Sequence, residues 1–139
     1  MDSVKAGLQQ VDDEAVVFVH DAARPCLEVE LIKQLMQTFQ EYGNAVPTVD
    51  LVDSLRKSNG QESWVDRNDY QSVQTPQAFK AGFLKRALMT NNKIQALDDA
   101  QVMEMNGHKI HTVKGNHQNI KVTLPTDLKL AALILSDEG

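Results

Sequence analysis

The sequence predicts an α/β domain, and three observations carry that reading. The apolar run AVVFVH at 15–20 is short and continuous, as a strand buried on both faces of a parallel sheet would be. Stretches with apolar residues at helical spacing alternate with short runs rich in Val and Leu. With 42% hydrophobic residues over 139 positions, the chain has enough apolar material for a core of its own, so one unit over 1–139 is expected.

The elements follow in order. After the first strand, LEVELIKQLMQTFQEYG at 27–43 places Leu31, Leu35 and Phe39 on one helical face, flanked by Ile32 and Met36, and Gly43 stands just past the end as a stop. NAVPTVDLVDSLRK at 44–57 alternates; SNGQ and then ESWVDR follow, so Asn59-Gly60 reads as a tight hairpin turn in which both residues take φ > 0. The flanks of this ribbon are mostly polar, and a hairpin with little to bury leans on a partner. QAFKAGFLKRALMT at 77–90 gathers Phe79, Phe83, Leu84, Ala87 and Leu88 on one stripe and reads as a helix of three turns. Asp98 followed by Gln101 has capping-box spacing and opens a helix that ends at Gly107. KIHTVKG at 109–115 and NIKVT at 119–123 read as two more strands. PTDLKLAALILS at 125–136 begins with a proline in the first turn, where the missing N–H costs nothing, and puts Leu128, Ala131 and Leu135 on one face. Pairing near the ribbon is expected to be mixed.

Charge and composition narrow the function. The chain carries 14 Lys/Arg against 19 Asp/Glu, net −5, which is not the balance of a nucleic-acid binder. Residues 54–93 hold seven Lys/Arg against three Asp/Glu, a local +4 that leaves −9 for the rest; a confined basic surface suits a small anionic ligand. One cysteine, Cys26, excludes an internal disulfide and fits a reducing compartment. No run approaches a membrane span and no secretion signal opens the chain, so a cytoplasmic location is expected.

HDAARP at 20–25 is where chemistry concentrates. In open α/β sheets ligands bind outside the carboxyl ends of strands, and Asp21 and Arg24 lie just past such an end. An acid there holds Mg²⁺ or accepts from ligand hydroxyls, and an arginine forks onto phosphate oxygens or fixes the acid. A second reading is a capped strand end with Asp21 accepting loop N–H groups and Arg24 a surface charge. The residues alone leave both open.

Six ordered motifs carry a family resemblance: DSVKAGL at 2–8, VFVHDAARPCL at 17–27, VDRN at 65–68, QTPQAF at 74–79, DDA at 98–100 and NIKVTLPTDL at 119–128. In order and spacing the chain resembles the 2-C-methyl-D-erythritol 4-phosphate cytidylyltransferases from end to end. The resemblance implies a Rossmann-like nucleotidyltransferase sheet with helices on both faces and a protruding hairpin arm at about 50–75 that makes a homodimer. It implies transfer of CMP from CTP to the polyol phosphate with Mg²⁺, in non-mevalonate isoprenoid biosynthesis. Such a reaction requires in-line positioning and charge neutralisation rather than a protein nucleophile. By the same resemblance Arg67, in the arm, reaches across the dimer to the substrate phosphate, and Lys121 positions that substrate for attack. Asp21 and Arg24 line the sugar-alcohol pocket, with the hydroxyls of Ser54 and Thr75 on the substrate side. Ala22 offers a backbone contact to the nucleotide, and Ser3 is the nucleotide-side serine.

Two departures stand out. Leu97 precedes Asp98-Asp99-Ala100 where the family commonly has threonine, so a substrate-facing hydroxyl is absent and the sugar-alcohol site is altered; a polyol phosphate such as ribitol 5-phosphate is the alternative substrate. The family's glycine-rich phosphate loop does not precede Asp2. The sheet is therefore expected to be incomplete at its amino end, with apolar strand surface at 15–19 unpaired, and these 139 residues alone are expected not to turn over CTP. A non-catalytic dimerisation or binding remnant is the third possibility.

The remaining candidates read as structural. His108 and His111, three apart in a strand, point to opposite faces and make a poor metal pair. Cys26 has no sign of an activated thiolate, and packing is its expected role. Trp64 is either a dimer anchor or a staple on its own hairpin. His20 is expected to support the loop that follows it.

Overall fold

The computed structural model describes residues 2–58, 64–90 and 96–137. Among these residues five α-helices and seven strands follow one another as α1 (Asp2–Leu8), β1 (Val16–Val19), α2 (Val29–Tyr42), β2 (Asn44–Asp50), β3 (Leu55–Arg56), β4 (Trp64–Val65), β5 (Gln71–Val73), β6 (Gln77–Lys80), α3 (Ala81–Thr90), α4 (Asp99–Met105), β7 (Thr112–Lys114) and α5 (Pro125–Asp137), with a 3-10 turn at Arg67–Asp69. The main sheet runs β1-β6-β2-β5, with β7 also on β2, and β3-β4 form a separate two-stranded ribbon.

Strand alternation sorts the core into two layers. In the β1–β6 register Val17 faces Phe79 and Phe18 faces Ala78. Phe79, Val17, Val19 and Val46 turn to α1, α3 and α4, where Leu8, Leu84, Leu88 and Val102 are buried with them. Ala78, Ala45, Phe18 and Val113 turn the other way, onto Leu31 and Leu35 of α2. Helices thus cover both faces, as expected of this α/β class. Gly43, at φ 81, accepts the left-handed turn that stops α2, and its N–H closes onto Phe39 O.

Four strand assignments differ from the sequence reading. The run at 77–80 is strand β6 rather than the first turn of a helix: Ala78 and Phe79 are apolar on both faces of a central strand, and the helix starts only at Ala81. β1 pairs antiparallel with β6, and among the described residues it has no second neighbour, so it is half-buried at a sheet edge rather than enclosed in a parallel sheet. The only parallel pair described is β2 with β7. NIKVT forms no strand; its backbone serves the loop after β1 instead, with Val122 N–H donating to Ala23 O at 2.8 Å. The short exposed strand β5, with Val73 as its one apolar residue, carries no strand pattern in the sequence.

Pro47 lies inside central strand β2, where a proline ordinarily removes a ladder bond. Here β6 pairs with 44–45 and β5 with 48–50, so Pro47 falls in the gap between them, and its carbonyl still accepts from Gln74 N–H. The ribbon strands pair Leu55 with Val65 and Arg56 with Trp64. The Asn59-Gly60 turn lies outside the described residues. α5 has the expected proline start, with Asp127 reaching back to the N–H groups of Thr123 and Leu124, yet only Ala131 on it is buried, while Leu128 and Leu135 are exposed.

Candidate functional site

The loop after β1 is held from behind by a chain of side-chain bonds. Asp21 N–H donates to Thr75 Oγ1 at 2.9 Å, Thr75 Oγ1 lies 3.0 Å from His20 Nδ1, and His20 Nε2 lies 2.9 Å from Arg24 O. A carbonyl only accepts, so Nε2 donates to it, and the Thr75 hydroxyl, which accepts from Asp21 N–H, pairs with Nδ1. His20 is a structural partner of the loop, as its sequence position suggested.

Arg24 faces inward. Its Nη1 donates to Asn119 O at 2.7 Å, and its Nε lies 3.7 Å from Asp21 Oδ2, beyond hydrogen-bond reach and within ion-pair reach. Burial pushes the guanidinium down from its ordinary value and the Asp21 charge opposes this; the group stays cationic. Lys121 approaches the same carboxylate from the other side, Nζ to Oδ2 at 3.0 Å. Asp21 is thus the shared anion of two cations, and the cap reading of its side chain is not what the structure shows: its N–H, rather than its carboxylate, closes the loop.

These groups open onto a cavity of about 340 Å³. Asp21, Ala22, Thr75 and Lys121 line it together with Ser3 of α1, so five of the residues singled out by sequence converge from four separate segments. Arg24 stands directly behind Asp21. Ser54 and Arg67 do not line it: they flank the ribbon, where Ser54 is exposed just before β3 and Arg67, in the turn after β4, donates from Nη1 to Val52 O. A somewhat larger hollow of about 410 Å³ between α1 and α3 is lined by Lys5, Leu8, Lys85 and Leu88, among others, but no motif acid or hydroxyl reaches it.

Three buried amides fix the walls. Gln74, beside Thr75, clasps Asn116, its Oε1 accepting from N–H at 3.2 Å and its Nε2 donating to O at 2.9 Å. Asn119 Nδ2 donates to Thr75 O at 2.8 Å, tying the segment of Lys121 to the segment of Thr75. Gln77 Oε1 accepts from Ala100 N–H at 2.9 Å and its Nε2 donates to Asp98 Oδ2 at 3.2 Å, which holds the start of α4 against the sheet.

A profile of the 2-C-methyl-D-erythritol 4-phosphate cytidylyltransferase (IspD) family matches residues 1–137. The chain belongs to the IspD family. It is 40% identical over 135 residues to the 2-C-methyl-D-erythritol 4-phosphate cytidylyltransferase of Phocaeicola vulgatus, covering 96% of this chain and 61% of that one. With the Bacillus velezensis protein of the same name it shares 39% over 142 residues, 99% of this chain and 61% of the relative. The crystal structure of the Thermus thermophilus enzyme superposes with a TM-score of 0.87 at 32% identity, over 96% of this chain and 68% of that one. The chain therefore spans about 61% of the length of the curated relatives it matches.

Whether the IspD cavity could hold Mg²⁺ on protein carboxylates depends on which acids are free. Asp98 Oδ1 accepts from Gln101 N–H at 2.8 Å and its Oδ2 is taken by Gln77; Asp21 is paired with two cations. No group of three or more His, Cys, Asp or Glu side chains among the described residues has the arrangement of a metal site. Among the described residues that leaves Asp99 as the cavity's unpaired acid, and a single carboxylate is no cage for Mg²⁺. His108 lies against Phe83 and His111 stacks on Tyr42 at 4.3 Å, both packing roles. Cys26 is buried with its thiol 3.7 Å from Ala131 O. No helix among the described residues is long and apolar enough to cross a membrane. Sequence reasoning missed Gln77, Asn119 and Asp99 as members of the site; QTPQ and the DDA acids were the available signal, and both had been read for other residues.

Proposed function

We propose that this chain is one unit of a cytidylyltransferase whose cavity binds 2-C-methyl-D-erythritol 4-phosphate for transfer of CMP from CTP. The convergence of Asp21, Thr75, Ser3 and Lys121 on one cavity, in a chain of the IspD family, supports this reading most directly. Lys121 supplies the cation for the substrate phosphate and is exposed enough to reach it; Asp21 aims the ammonium, and Arg24 in turn fixes Asp21. An oxygen of that phosphate attacks the α-phosphorus of CTP, the bond to the β-phosphate breaks, and pyrophosphate leaves. The nucleophile is ionised at neutral pH, so the site needs cations and alignment rather than a base. Ser3 and Ala22 lie on the nucleotide side of the same cavity, and Mg²⁺ bound to the nucleotide adds charge neutralisation.

Arg67 and Ser54 belong to the site through a second copy of the chain. Arg67 is exposed beside the ribbon, where an arm presented to a partner brings it to that partner's cavity. Calorimetric titration with 2-C-methyl-D-erythritol 4-phosphate tests the reading: saturable binding that falls at least about tenfold in Lys121→Ala is the expected result. Absence of binding by the unaltered protein overturns it, and tighter binding of ribitol 5-phosphate reassigns the substrate.

A further inference from the structure

Two adjacent carboxyls, Asp98 and Asp99, stand on the cavity wall, and the fold uses only one of them. Both oxygens of Asp98 are taken, by Gln101 N–H and by Gln77 Nε2. Asp99 is 8% exposed, and its Oδ1 is enclosed without a hydrogen-bond partner among the described residues. A polar atom in that condition is costly to the fold and is ordinarily matched by a donor from elsewhere. Across the cavity Asp21 already serves Lys121 and Arg24. Both of those contacts fall on Asp21 Oδ2 of a part-exposed side chain; Asp99 is the cavity's buried carboxyl with an acceptor left unpartnered among the described residues.

What it takes follows from charge. A carboxylate repels phosphate and accepts from hydroxyls, so it suits the uncharged, hydroxyl-bearing part of a ligand whose phosphate lies with Lys121. Leu97, on the same rim and 93% exposed, offers no hydroxyl, which leaves Asp99 as the polar group of this segment free to contact the ligand. We propose that Asp99 is a specificity residue, accepting hydrogen bonds from the vicinal hydroxyls of the polyol. This rests on the reading of the cavity as a polyol-phosphate site.

The test deletes the interaction from both sides. 2-C-methyl-D-erythritol 4-phosphate and 4-hydroxybutyl phosphate, which keeps the chain and phosphate without the vicinal hydroxyls, are titrated into the unaltered protein, Asp99→Asn and Asp99→Glu, with CTP as a third ligand. The unaltered protein is expected to prefer the polyol phosphate by about tenfold or more, the loss usual when a site's polar group is left unpaired. Asp99→Asn should bind the two phosphates within about threefold of each other without losing affinity for CTP, and Asp99→Glu should restore part of the preference. If the unaltered protein binds no polyol phosphate, the functional reading and this assignment fall together. If it binds and prefers the polyol phosphate while Asp99→Asn keeps that preference, or loses CTP instead, only the assignment to Asp99 falls. A protein that does not discriminate between the two phosphates overturns the assignment without any variant, so a failure of Asp99→Asn to fold does not shelter it.

Discussion

Lys121 Nζ lies 3.0 Å from Asp21 Oδ2, joining the loop before α5 to the loop after β1. Both side chains are partly exposed, and an ion pair in that setting is worth about 0–1 kcal/mol. Its use is therefore in placing a cation rather than in holding the fold. Lys121→Ala is expected to leave the stability in urea within about 1 kcal/mol of the parent while weakening polyol-phosphate binding. A large stability loss with unchanged binding would assign the pair to structure instead.

Thr75 supports the same loop from within. Its hydroxyl accepts from Asp21 N–H and pairs with His20 Nδ1, so Thr75→Val, nearly equal in shape, strands both partners. The expected cost is about 1–3 kcal/mol in urea unfolding, with most of it recovered in Thr75→Ser. Equal losses in both variants would show that the methyl group, not the hydroxyl, does the stabilising.

Gly115 follows β7 where three groups crowd the backbone. A Cβ there would stand 2.5 Å from Gln74 Oε1, 3.1 Å from Val49 Cγ1 and 3.2 Å from Thr48 O. Gln74 is buried and doubly bonded to Asn116, so it has little freedom to withdraw. Gly115→Ala should destabilise by about 1–3 kcal/mol by thermal or urea unfolding, and shortening the neighbour in Gly115→Ala/Gln74→Ala should make the combined cost less than additive.

How much of this was visible beforehand depends on what each residue does. Helix α2 and its Gly43 stop were legible, because an amphipathic face and a left-handed cap both write themselves into residue order. β6 was not, because Ala78 and Phe79 satisfy a strand and a helix equally until the register with β1 is known. NIKVT carries a strand composition but spends its backbone and Asn119 on two other loops. In the site, Asp21, Thr75 and Lys121 were recoverable from short motifs, whereas Gln77 and Asn119 were not: buried amides resemble surface residues in any hydropathy pattern, and only their partners reveal them. The cap at Asp98 was visible in its spacing to Gln101, but not that Asp99 beside it is unengaged.

That difference has a pH signature. Burial, reinforced by the adjacent Asp98 carboxylate, raises the Asp99 carboxyl above its ordinary value. The folded protein therefore keeps this proton at pH values where the unfolded chain has released it. The stabilising contribution is full below the unfolded value, about 3.9, and is lost as pH rises through the folded value. Asp99→Asn carries no such proton, so the parent should lose stability relative to this variant as pH is raised across that window, measured by urea unfolding at a series of pH values. A constant difference at all pH values would remove Asp99 from the account.

Trp64 is 80% exposed on the ribbon, opposite Arg56 in the strand register. An indole so placed contributes little to its own chain, which argues against the staple and for a partner. Trp64→Ala is expected to leave unfolding at sub-micromolar protein within about 0.5 kcal/mol of the parent and to shift sedimentation at tens of micromolar from dimer toward monomer. A parent protein that sediments as a monomer there would count against the arm.

β1 and β2 do not pair with each other; β6 lies between them, and it enters the chain only at 77–80. During vectorial synthesis β1 and β2 therefore cannot reach the partner they share until a later segment slides between them, and β7, another partner of β2, leaves the ribosome later still, at 112–114. Until then the edges that β6 will cover stay open, the kind of surface that attracts strangers. The order of assembly, rather than any single contact, is what makes this sheet dependent on prompt completion of the chain.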